Sequence, residues 1–212
     1  MAWGYLVLVV IYLVVLAVTV IVGASNYNSL SSSKYSFLNC FPFEMNDKPR
    51  MRFNFLFRCL LALLAAAYAV PVIFMLKDND IFLIRSVMIL GIFLALSMIS
   101  IFLIDLRYYK THCVAAIFFF ILSVAFNGFV GYTILIFPQY RLYKIFPFIM
   151  FALSLLIIGL VLNPKLKQWM RLAVDENGNL QRPRISLLAF TEWLVILIDT
   201  LSLILMATGI KA

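Results

Sequence analysis

The stretch that decides the fold runs from Ile185 to Ile210 and reads ISLLAFTEWLVILIDTLSLILMATGI. A membrane-crossing helix needs about 20 mostly apolar residues. This run is longer, and its only charged residues are Glu192 and Asp199. Seven positions make about 700° of helix rotation, so the two acids share nearly one face, roughly 10 Å apart along it. An ionisable group near the bilayer centre costs about 2.5–3.5 kcal/mol on insertion scales. That face must therefore turn inward, toward other helices.

Five further stretches have the same character: Ala2–Gly23, Arg52–Leu76, Ile81–Ile104, His112–Phe137 and Ile145–Leu162. Short polar joints and two longer loops, 24–51 and 163–184, separate them. In lipid every backbone polar group must be satisfied within its own helix or within a closed barrel. The expectation is an all-α polytopic protein, with six transmembrane helices in one bundle and residues 1–212 forming a single membrane domain. The composition agrees. Of 212 residues, 65% are hydrophobic and 12% charged, with a mean hydropathy of +1.07. A soluble domain is nearer half apolar and a quarter charged. These figures exclude an ordinary globular enzyme, a disordered tail and a nucleic-acid module. The first span is too long for a signal-peptide core, and Met1-Ala2-Trp3-Gly4 carries no basic side chain, although Val22-Gly23-Ala24-Ser25 has the small residues of a cleavage site.

Basic residues set orientation in short loops. The first, third and fifth loops hold Lys34, Lys48, Arg50, Arg52, Arg107, Lys110, Lys165, Lys167, Arg171, Arg182 and Arg184. The termini and the other loops hold Lys77, Arg85, Arg141, Lys144 and Lys211. This bias places loops 24–51, 105–111 and 163–184 in the cytoplasm, in a plasma (inner) membrane or an endomembrane. Lys165–Leu172 has the pattern of a short interfacial helix. Lys165, Lys167, Arg171, Arg182 and Arg184 are candidate contacts for anionic lipid headgroups.

The polar residues inside the spans are the candidate network. The second, fourth and sixth spans run in one direction, so offsets from their starts compare depth. By that measure Arg58 lies level with Glu192, and Asn127 with Asp199. The expectations are an Arg58–Glu192 ion pair or a shared polar pocket, and an Asn127–Asp199 hydrogen bond, with Tyr68 and Tyr132 as further donors. Such a network can fix helix register, since breaking a buried pair is costly even when forming it gains little. It can equally handle a ligand, a lipid headgroup or a proton. At the interface, Asn54, Asp105, Arg107 and His112, the one histidine, are candidates; His112 beside Asp105 has the makings of an acid–base group. Cys40, Cys59 and Cys113 show no metal or redox spacing. Cys40 and Cys113 share a side, so a disulfide between them is geometrically allowed, but one in the cytoplasm would not persist. Gly128 and Gly131 are candidate points of close helix approach. No phosphate loop, nucleophile elbow or zinc-protease helix is present, and no nucleophile–base pair, metal or cofactor site is legible.

The layout and a few short motifs resemble the six-span Frag/DRAM/Sfk-like membrane proteins and their prokaryotic relatives. The motifs are Arg52-Phe53-Asn54-Phe55 opening the second span, His112-Cys113-Val114-Ala115-Ala116 opening the fourth, and Glu192-Trp193 in the last. The resemblance implies a lipid-associated role, with Asn54, His112 and Glu192 the matching positions. It also implies cytoplasmic termini, opposite to the charge count. The leading expectation is a non-enzymatic lipid-handling membrane protein. The alternatives are a small proton- or cation-coupled carrier using the acids of the last span, and a subunit of a larger membrane complex with partner spans.

Overall fold

The computed structural model describes residues 2–30, 34–46, 51–76, 82–104, 109–136, 145–163, 173–174, 180–181 and 185–209. Its helices are α1 (Ala2–Leu30), α2 (Met51–Leu76), α3 (Phe82–Leu103), α4 (Tyr109–Ile136), α5 (Phe146–Val161) and α6 (Leu187–Gly209). Residues 34–46 form a strap between α1 and α2 that ends in a 3-10 helix, Pro42–Asn46. Two short strands, β1 (Ala173–Val174) and β2 (Leu180–Gln181), pair antiparallel between α5 and α6. The chain is thus almost wholly helical.

Five helices are long and apolar enough to cross a membrane, so the protein is an integral membrane protein. Against the six spans expected, α5 falls short. Its 16 residues rise about 24 Å, below the ~30 Å hydrocarbon core. A proline at its first turn fixes its start, and Asn163-Pro164 follows its end. In contrast, α1 runs seven residues past Gly23. The polar side chains of its last turns are tied to the strap: Asn28 Oδ1 accepts from Tyr35 N at 2.5 Å, and Asn26 Nδ2 donates to the Met45 carbonyl at 3.4 Å.

Consecutive helices α1 to α5 pack side by side, and α6 returns to touch α1, α4 and α5. This makes α6 the hub: 61% of its span is buried, against 22% of α1. Bonds between helices give the directions. Tyr5 OH donates to the Leu203 carbonyl at 3.1 Å, and Tyr12 OH meets Thr200 Oγ1 at 2.9 Å, so α1 and α6 are antiparallel. His112 reaches Glu192 and Asn127 reaches Asp199, so α4 and α6 are parallel.

Aromatic side chains fill the centre, among them Tyr5, Tyr12, Phe57, Tyr68, Phe119 and Phe126. The outer face is the reverse of a soluble protein's. Leu6, Ile11, Ile21, Leu63, Phe93, Phe118 and Ile121 stand exposed, an apolar area that only lipid or another apolar surface covers without penalty. Close approach falls at two glycines. A Cβ on Gly23 would lie 2.6 Å from Met45 Cβ, and one on Gly91 would lie 2.8 Å from Val72 Cγ1. Gly128, expected to be such a point, has open space beside it.

Candidate functional site: two buried polar tiers

The tier nearer the strap is built on the first turns of α4 and α6. His112 Nδ1 lies 2.7 Å from the Ile104 carbonyl, just beyond the end of α3. A carbonyl oxygen only accepts, so Nδ1 carries the hydrogen. His112 Nε2 then faces Glu192 Oε1 at 3.1 Å. A hydrogen bond between these two atoms needs one proton on either of them, and with it the pair is neutral as a unit. Both side chains are fully buried. Glu192 Oε2 and Thr191 Oγ1 have no hydrogen-bond partner.

The strap closes over this pair. Phe41 and Phe43 set their rings edge-on to the imidazole, with centroids 6.0 and 5.2 Å away. Glu44 closes the 3-10 turn reciprocally. Its Oε1 accepts from Phe41 N at 2.9 Å, while its own N–H donates to the Phe41 carbonyl at 3.1 Å. Three bonds pin the strap: Trp193 Nε1 to the Cys40 carbonyl at 3.0 Å, Tyr35 OH to the Phe41 carbonyl at 2.9 Å, and Ser186 N to the Leu38 carbonyl at 2.8 Å. Burial pushes the Tyr35 phenol well above its ordinary range.

The deeper tier centres on Asp199. Its Oδ1 accepts from Ser123 Oγ at 2.6 Å and from Asn127 Nδ2 at 2.8 Å. Ser202 Oγ donates to Asn127 Oδ1, which turns the amide so that its NH2 faces the acid. Asp199 Oδ2 and Tyr68 OH are buried without a hydrogen-bond partner. Tyr68 lies against Tyr12, with ring centroids 5.4 Å apart.

These positions revise the sequence-level picture. Arg58 does not pair with Glu192: it is exposed on the outer side of α2, and the partner of Glu192 is His112. Equal depth put Arg58 level with the acid but says nothing of which way its helix face turns. His112, expected at the interface, is fully buried beneath the strap. Tyr132 points outward, whereas Tyr68 is buried beside Asp199. Asn127 and Asp199, level by their offsets, are hydrogen-bonded. Cys40, Cys59 and Cys113 form no disulfide among the described residues. The side chain of Asn54 lies outside the described residues, as do Asp105, Arg107, Lys165, Lys167, Arg171, Arg182 and Arg184, with the helix expected over Lys165–Leu172. Among the described residues, no three His, Cys, Asp or Glu side chains gather as a metal site requires.

The chain matches no family model, no curated protein and no solved structure. Its chemistry therefore rests on its own residues. Ser202 and the Trp193 indole, polar positions of the last span, join the network, and so do Ser123 and Tyr12, which were not singled out from the sequence. Two signals pointed to them. Ser123 precedes Asn127 by one helical turn, and Tyr5 and Tyr12 repeat the seven-residue spacing of Glu192 and Asp199.

A different kind of feature lies on the outer surface. An apolar groove of about 440 Å³ runs between α4 and α5, lined by Ile117, Phe120, Ile121, Val124, Ala125 and, across from them, Ile157 to Leu162 without the glycine and leucine between. Ile121 and Leu162 at its rim are 59% and 74% exposed, so the groove opens outward.

Proposed function

We propose that this protein is a six-span, non-enzymatic membrane protein that holds the acyl chain of a membrane lipid in the groove between α4 and α5. The groove is the observation that carries the reading. Its volume is within the ~300–1,000 Å³ of small-molecule sites. Its lining is wholly apolar, and it opens where the bilayer would be. It lies against the middle of α4 and the last turns of α5, and so extends from mid-bundle toward the strap side. The reading takes α5 as the sixth crossing: α4 and α6 are parallel, so the chain must return between them. The basic residues place the strap-side loops in the cytoplasm, where Lys165, Lys167 and Arg171, soon after Leu162, would meet anionic headgroups. The resemblance to Frag/DRAM/Sfk-like proteins supports a lipid role, and two of its three positions, His112 and Glu192, are in contact here.

The test is lipid retention. Protein purified into detergent and then washed is expected to keep bound phospholipid, read by native mass spectrometry. Ile121→Trp, which fills the groove from its rim, is expected to lower retention at least several-fold with the melting temperature preserved. Equal retention by the two proteins would remove the groove as the lipid site.

A second reading, a proton- or cation-coupled carrier, is favoured by the two buried carboxyl oxygens without hydrogen-bond partners, Glu192 Oε2 and Asp199 Oδ2. Its test is ion flux into proteoliposomes: Asp199→Asn is expected to abolish coupling to protons, and unchanged coupled flux rules the carrier out.

A further inference from the structure

The two oxygens of Asp199 are treated differently by the fold. Two neutral donors, Ser123 Oγ and Asn127 Nδ2, converge on Oδ1, and among the described residues nothing donates to Oδ2. An ionised carboxylate spreads its charge over both oxygens and is best held when both are solvated or bonded. A neutral carboxyl is asymmetric: one oxygen is a carbonyl that accepts, and the other is a hydroxyl that donates. The donors around Asp199 match the second form. Tyr68 OH is the only other buried group of this tier without a hydrogen-bond partner among the described residues, and it does not bond Oδ2.

The surroundings contain no compensating cation. Packed against α6 here, α1 brings Tyr5 and Tyr12, α4 brings Ser123 and Asn127, and α5 brings Met150, while α2 contributes Tyr68. On α6 itself the next titratable group is Glu192, roughly 10 Å away by helical rise and already engaged with His112. No basic side chain among the described residues forms an ion pair with Asp199. A lone carboxylate in such a place is expensive. Neutralisation by a bound proton needs no cavity and no further ligand.

We propose that Asp199 is a proton-binding site in the membrane interior, its proton held on Oδ2, with Oδ1 fixed as the carbonyl by Ser123 and Asn127. The proton is the ligand, and the binding step is COO⁻ + H⁺ → COOH with nothing oxidised or reduced. The tier differs in this from the Glu192–His112 pair, which shares its proton between two residues. The proposal deepens the carrier reading by naming the coupling residue and the species, yet it does not depend on transport. A proton bound at Asp199 without coupled flux leaves the site standing and removes only the carrier.

Infrared difference spectroscopy in lipid nanodiscs at neutral pH tests it. The wild type is expected to show a neutral-carboxyl C=O band that moves on exchange into heavy water and is lost in Asp199→Asn. Ser123→Ala, which leaves the acid in place, is expected to keep the band and shift it upward, because the carbonyl loses a donor. This variant carries the test if Asp199→Asn does not fold. A difference spectrum holding only carboxylate bands overturns the proposal, because Asp199 is then ionised. A band unmoved by Ser123→Ala overturns the assignment of the two oxygens.

Discussion

The two tiers on α6 hold the same kind of group in opposite ways. Glu192, near the helix start, is matched by a titratable partner and sealed by a strap of aromatic rings. Asp199, two turns deeper, is matched only by neutral hydroxyls and an amide, and its seal is the bundle itself. The difference follows depth. Near the end of the bundle a loop can fold inward and bring rings and a covering backbone. In the middle only helix side chains are available, and small donors such as Ser123 and Ser202 fit between closely packed helices.

The comparison breaks most visibly at His112. His112→Ala leaves Glu192 buried and unmatched, and is expected to cost about 3–5 kcal/mol. Thermal unfolding in detergent reads it, and adding Glu192→Gln should recover much of the loss. Additive losses in that double variant would mean that the two residues are not coupled. At the deeper tier the change is smaller. Ser123→Ala is expected to cost about 0.6–1.7 kcal/mol, the range for hydrogen bonds between helices in lipid, and a cost equal to that of His112→Ala would erase the distinction between the tiers. Trp193→Phe keeps the ring but removes the donor to the Cys40 carbonyl. About 0.5–1.5 kcal/mol is expected, with hydrogen exchange quickened over residues 35–46 and unchanged in α2.

Tyr35 supplies a pH handle on the strap alone. Its buried phenol holds its proton more tightly than the unfolded chain does. The strap's stability is therefore complete below about pH 10, the unfolded value, and declines as pH rises beyond it. Tyr35→Phe should remove that decline, measured by exchange of the strap amides across the alkaline range. The smallest effect belongs to Arg58. Exposed on α2, it should tolerate Arg58→Gln within about 0.5 kcal/mol, and a larger loss would restore it to the network.

Much of the architecture was legible because hydropathy over twenty residues is a strong signal. The long helices begin and end within a few residues of their apolar runs. The turn of α1 beyond Gly23 was not legible, since its polar residues are helical only because the strap binds them. Of the network, Asn127 and Asp199 could be paired because depth can be counted along parallel helices. The partner of Glu192 could not, because depth fixes height and not azimuth: Arg58 and His112 both stand near its level, and packing turns one out and the other in. His112 also read as interfacial because Phe41-Pro42-Phe43, although visibly apolar, carries no sign in the sequence of which side chain it covers.

The bonds that close the bundle join the ends of the chain. Tyr5 and Leu203 are 198 positions apart, and Tyr12 and Thr200 188. During synthesis, α1 and α4 enter the bilayer long before α6 leaves the ribosome. Until then His112, Asn127 and the two tyrosines have polar atoms in oil without their eventual mates. The final helix is thus the keystone of biogenesis. A chain that stops before residue 187 presents unsatisfied polar groups to the lipid, a feature by which membrane quality control can tell an unfinished copy from a finished one.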